Sequence, residues 1–292
     1  AEAMTAVLKK SYVVLKTTYV RWLLSSRLLI FAFAYMFFYT YFIDPLIRLS
    51  DYFLTPLNAI EPFISLMNNG YFVPLVALTY LILISDHPKL DNSGTFILFR
   101  TGRTAWILGQ IWFLICSSIT FTAFLGLSSM LTVFNRSFLI NAWSLVSKNA
   151  IKPENVTIRN EFTFAVIDDS VINQSRPYTA FFHAVALMLM FMLTVGLILM
   201  VFTLLRKKVF GIFVNLSFIV TGLVLWAVDV RAKWLFPIAN SAFGWHYDGM
   251  YDKTIKSILY SYIYFAIVCT VLIINVFEIG KRCSFHITDE NG

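Results

Sequence analysis

The sequence predicts an all-α integral membrane protein: six transmembrane helices, an N-terminal interfacial helix and a small extracytoplasmic loop domain. Three observations carry this. Of 292 residues, 59% are hydrophobic and 13% charged, against about 45–50% and about 25% in an ordinary soluble domain. The apolar residues gather in runs close to the ~20 residues that cross a hydrocarbon core. The basic residues behind the net charge of +7 cluster beside these runs, which points to anionic lipid and away from nucleic acid as their partner.

Residues 1–27 come first. Val7, Leu8, Val14 and Leu15 recur at helical spacing among Lys9, Lys10 and Lys16, the pattern of a helix lying in the membrane interface; the alternative is a continuation of the first span. A start at Met4 is expected. The first long apolar run begins only after Arg27 and no small-residue cleavage pattern follows it, so no cleaved leader is expected.

Residues 28–134 hold three spans, at about Leu28–Ile43, Tyr71–Ser85 and Ala105–Phe134. The second is short. It either borrows Phe63 to Met67 across Asn68-Asn69-Gly70 or enters the bilayer without crossing it. Residues 135–178 form an extracytoplasmic loop, in which Val156, Ile158, Phe162, Phe164 and Val166 alternate around Arg159-Asn160-Glu161 and read as a β-hairpin. Residues 179–279 hold three further spans, about Thr179–Leu205, Val209–Val228 and Ser257–Phe277, with a broken, aromatic, re-entrant-like outer segment at 234–251. Such a segment requires its backbone to be enclosed by protein. A tail, 280–292, follows. Arg206-Lys207-Lys208 between two strong apolar runs places that junction, and with it both ends of the chain, on the cytoplasmic side of a cell membrane.

The segment 86–104 joins the second and third spans on that side. Pro88 and Asp91 to Ser93 mark a helix start, Thr95 to Phe99 form a short amphipathic helix, and Gly102 breaks it before Arg103 and Trp106 open the next span. Here Asp91, Gly94-Thr95, Phe96 to Phe99, Arg100 with Arg103, and Gly109-Gln110 follow the order seen in ABC-2 type permeases, and the chain resembles that family of ABC-exporter membrane subunits. The family carries Gly-Lys where this chain has Gly109-Gln110, and the loop at 135–178 is longer than in its simplest members. The resemblance implies that Asp91, Gly94, Thr95, Phe96, Phe99, Arg100 and Arg103 form a coupling helix seated in a cytosolic ATPase subunit. The plainer reading makes Arg100 and Arg103 ordinary positive-inside anchors.

No Gly-x-x-x-x-Gly-Lys-Ser/Thr phosphate loop occurs in the chain, so ATP hydrolysis falls to a separate ATPase partner and the chain itself is expected not to be an enzyme. No cofactor is implied, and Cys116, Cys269 and Cys283 show neither disulfide nor metal spacing. An intramembrane enzyme would draw on His87, His183, His246 with Asp248, or Glu278, which fall at opposite faces. A secondary transporter would carry charge at mid-span, where only Asn215, Thr194 and Asn275 are notable. Met188, Met190, Met192 and Met200 suit packing or a greasy pathway. The expected function is therefore a permease that pairs with itself or a related subunit and exports a hydrophobic or amphipathic peptide or lipid-like cargo. Its interface would run along spans two and five through Gly211, Asn215, Ser217, Thr221 and Gly222. The rival is a non-transporting membrane sensor or assembly scaffold that reads ligands through the outer loop.

Overall fold

The computed structural model describes residues 2–89, 92–248 and 253–282. Helix α1 (Glu2–Leu23) ends at a turn where Ser25 is extended, so it is separate from the next helix. A 3₁₀ turn (Ser26–Leu28), α2 (Leu29–Phe38), a π turn (Tyr39–Ile43) and α3 (Asp44–Phe53) then form one helical rod of 28 residues. The rod runs ten residues beyond the expected end at Ile43. Pro45 cannot donate to the preceding turn, and the π turn just before it lets the helix continue.

Helices α4 (Glu61–Asn68) and α5 (Phe72–Ile84) meet at 91° across Asn69–Tyr71. The apolar residues before Asn68-Asn69-Gly70 are thus helical too, but they meet the second run at a sharp bend, the geometry of either a broken span or a re-entrant loop. Helix α6 (Asn92–Thr101) leads into α7 (Arg103–Val133). Three short helices, α8 (Leu145–Ala150), α9 (Val156–Glu161) and α10 (Asp169–Gln174), precede α11 (Pro177–Leu204) and α12 (Lys208–Ala227). After α13 (Pro237–Ser241) the described residues end in α14 (Ile258–Arg282). Among the described residues five helical segments are long and apolar enough to cross a membrane, and the bent pair α4–α5 makes a sixth if it counts as one span.

Helix α11 sits at the centre, packed on α14, α12 and α7, with Met188, Met192 and Met200 fully buried. Helix α1 lies along α7. That contact depends on Gly109, where any Cβ would fall 2.5 Å from Val14 Cβ; Gln110 beside it donates to Thr18 Oγ1 at 3.3 Å. The two ends of the bundle differ. One, the basic end, carries Arg27, α6, Arg206 to Lys208 and Lys281; the other, the loop end, carries residues 135–178, 229–248 and 253–257.

The expected β-hairpin is absent: 156–161 is helical and 162–165 are turns. Alternation over so few residues also satisfies one helical turn, which here places Ile158 and Phe162 together. The carbonyls a partner strand would have taken are occupied from α4, since Ser65 Oγ donates to Ala165 O at 2.7 Å and Asn69 Nδ2 to Phe164 O at 3.2 Å. Strand structure among the described residues is confined to two-residue pairs, β1 (Leu57–Asn58) with β2 (Ser137–Phe138) and β3 (Tyr247–Asp248) with β4 (Lys253–Thr254). The loop is stapled to α4 by buried Glu61, which accepts Ser144 N and Ser144 Oγ, both at 2.7 Å. In the broken segment, Pro237 to His246 is buried throughout, so its irregular backbone is enclosed by protein; Gly249 and the rest of its end to 251 lie outside the described residues, as does the tail from 283 with Cys283.

Candidate functional site

At the basic end the loop after α5 is knotted before α6 begins. Asp86 pairs with Arg27 at 2.6 Å and Lys208 at 3.3 Å, joining the starts of the first rod and of α12. Partial burial pushes the Asp86 carboxyl up, but Arg27, Lys208 and Lys89 outweigh it and hold the group below its ordinary value. Trp22 Nε1 donates to Leu83 O at 3.1 Å and Arg27 to Ile82 O at 2.8 Å, and Arg27 also bonds Ser85. His87 is buried against the Phe113 ring at 4.6 Å. Burial, followed by the positive charge of Lys89, pushes its pKa down to about 4. Its Nδ1 and Gln110 Oε1 have no protein partner, and both residues line a cavity of about 30 Å³ beneath α1.

This foundation gives α6 two unlike faces. Gly94 and Leu98 are buried and Ile97 is half-buried against α1 and α7. Phe96 and Phe99 are 68% and 66% exposed, with Arg100 exposed beside them at helical spacing. Gly102 adopts φ +88, the left-handed side that a Cβ disfavours, and breaks α6 from α7. Arg103 then donates to Lys281 O at 2.6 Å, tying the start of α7 to the end of α14. Asp91 and the side chain of Thr95 lie outside the described residues. The helix presents two aromatic rings and a guanidinium outward while its other face is held by the bundle, which suits docking of a partner.

The residues singled out on α12 divide. Asn215 is buried and donates to Val195 O at 3.3 Å and Gly211 O at 3.1 Å. Gly211 abuts Phe202, and Gly222 abuts Ile238, where a Cβ would come within 2.3 Å. These three serve packing within the chain, while Ser217 and Thr221 are exposed with Phe213, Val220 and Val224. An interface between copies along α12 would have to use that exposed set.

The histidines do not converge. His183 Nδ1 bonds Tyr262 Oη at 2.8 Å and its ring stacks on Phe243. His246 is fully buried, with Nδ1 near Ala242 O and Phe243 O and Nε2 2.8 Å from Ser261 Oγ, while Ser261 is 2.7 Å from Asn240 Oδ1. The third group of this chain meets the serine and not the imidazole, and the serine is sealed from solvent, so the set ties α13 to α14. Asp248 meets Gln174 through its backbone carbonyl. Glu278 pairs with Lys281 at 3.0 Å. Thr194 bonds Met190 O, and exposed Asn275 bonds Val271 O. Among the described residues no cluster suits a metal ion.

A recess at the loop end has no counterpart in the sequence pattern. It holds about 190 Å³ and is lined by Tyr71, Phe164, Trp226, Trp245, Asn69 and Asp168 among others, where the α4–α5 bend, the loop and the end of α12 meet. Trp226 stacks on Trp245 at 4.5 Å and 12°. Gly70 admits the Trp226 indole, because a Cβ there would lie 2.2 Å from it. The local signal, Asn68-Asn69-Gly70-Tyr71, is visible as a break between apolar runs; its partners lie roughly 95 to 175 positions further along.

Compared with protein-family models, with curated proteins and with solved structures, the chain matches none.

Proposed function

We propose that the chain is the permease subunit of an ATP-driven ABC exporter of the ABC-2 type. The observation that supports this most is α6: a short helix fixed to the basic end of the bundle, with Phe96, Phe99 and Arg100 turned outward. Exposed apolar rings on a helix mark a contact with a protein or a membrane, and in this reading the contact is a cytosolic ATPase. The concentration of Lys and Arg at this end argues for a cytoplasmic location, with α1 in the interface, six crossings counting α4–α5 as one, and both chain ends inside.

In the mechanism proposed, ATP-driven motion enters at α6 and passes along two rigid routes. One runs through Arg103 to the end of α14, the other through the Asp86 knot to the first rod and α12. Two copies, or this chain and a related one, would face each other along α12 through Ser217, Thr221 and the apolar residues beside them. The long apolar helices carry few charged residues away from their ends, and Asp44 within the first rod is paired with Arg48, which suits a hydrophobic peptide or lipid-like cargo better than an ion. Affinity purification of the tagged chain from native membranes in mild detergent tests the proposal. A stoichiometric ATPase is expected in the eluate; its absence while the chain remains folded and dimeric would favour the sensor or scaffold reading.

A further inference from the structure

We infer that the loop-end recess is a binding site for an ammonium group, independent of whether an ATPase docks at the other end. Its polar walls are already occupied. Asn69 donates to Phe164 O and accepts from Tyr71 N, Asn68 accepts from Gly244 N, and Ser65 and Thr163 donate to carbonyls of the loop. A sugar or amide ligand would find few free partners there. What remains is one carboxylate and aromatic surface, with the hydroxyl of Tyr71 and the indole N–H groups of Trp226 and Trp245 on the rings themselves.

Asp168 is solvent-exposed at the recess and no ion pair engages it among the described residues. Although the residue is open to solvent on one side, the protein packed around its carboxyl desolvates it in part and raises its pKa; the charge of Arg159 lowers it and that of Asp169 raises it further. Around it stand Tyr71, Phe164 and the stacked Trp226–Trp245 pair. Aromatic faces with a single acid attract a cation that carries its own apolar substituents, such as an alkylammonium or quaternary ammonium. An anion would face the Asp168 carboxylate. A volume of about 190 Å³ is below the ~300 Å³ lower limit for whole drug-sized ligands, so the site takes a head group. That group belongs either to a free cationic amphiphile or to an aminolipid.

The test uses the full chain, purified and placed in nanodiscs of phosphatidylglycerol, titrated calorimetrically with choline and with its uncharged isostere 3,3-dimethylbutan-1-ol. Saturable choline binding is expected, at least tenfold tighter than the isostere. Asp168→Asn should weaken it at least tenfold, Tyr71→Ala several-fold, and Arg159→Gln should tighten it. Both Asn and Asp suit the turn before α10, and Tyr71 is exposed, so these variants should fold; a thermal melt checks this. If phosphatidylethanolamine in the nanodisc competes with choline, the natural ligand is a lipid head group, and if it does not, a free amine. No choline binding, equal binding of the isostere, or an unchanged Kd in folded Asp168→Asn would overturn the inference.

Discussion

Replacing Phe96 and Phe99 together by Ala separates docking from folding. Both rings are about two-thirds exposed, and a Phe carries roughly 150–250 Å², so the pair offers on the order of 250 Å² to a partner. At about 25 cal/mol per Å² the full burial would be worth about 6 kcal/mol. Truncation to Ala forfeits roughly two-thirds of that, and the cost of ordering an interface lowers the measured share to about 2–4 kcal/mol. Affinity should fall roughly 30- to 1,000-fold. The fold should not suffer, because neither ring fills the core and Ala is a slightly better helix former than Phe. Wild-type and double-mutant chains would be purified in parallel from native membranes, and the co-eluting ATP hydrolysis measured across a dilution series alongside thermal melts. Undiminished co-elution in a normally folded double mutant would falsify the docking role of α6.

Three further outcomes are expected from the packing. Gly70→Ala places a methyl 2.2 Å from the Trp226 ring, and since that indole is stacked on Trp245 it cannot move freely; a loss of about 1–3 kcal/mol is expected, read as a lower melting temperature with altered tryptophan fluorescence. Glu61→Ala leaves buried Ser144 N and Asn58 N without their acceptor, at about 1–3 kcal/mol for each orphaned donor; protease sensitivity of the 135–178 loop should rise first, and an unaltered digestion pattern would refute the staple. His87 has a folded pKa of about 4 against 6.5 in the unfolded chain, so between those values the unfolded state binds more protons. Stability should then be fully present above pH 6.5, decline by roughly 3 kcal/mol as pH falls to about 4, and level off below. His87→Gln should flatten a substantial part of that slope in melts recorded across pH 4–7.

Much of this protein is determined by composition and periodicity alone. Apolar runs of the length of α7, α11, α12 and α14 have one economical way to satisfy their backbone in lipid, which is a helix, so these four elements agree with the sequence reading to within a few residues. The two faces of α6 are likewise legible, because the acid-to-glycine segment is local and its helical spacing needs no partner. Runs interrupted by proline or by Asn-Gly are not legible in the same way. The first span is expected to end at Ile43, yet a π turn carries the helix on past Pro45, and Asn68-Asn69-Gly70 signals a break whose 91° angle depends on Trp226, Phe164 and Gly244 from distant parts of the chain. The 156–166 stretch shows the same limit: its alternation is short enough for strand or helix, and the hydrogen bonds offered by Ser65 and Asn69 decide between them. Small residues on α12 look alike in the sequence, yet Gly211, Asn215 and Gly222 turn inward while Ser217 and Thr221 turn out. Which face of a uniformly apolar helix meets protein carries almost no periodic signal, since lipid and protein interior are equally apolar, and only the tertiary packing decides it.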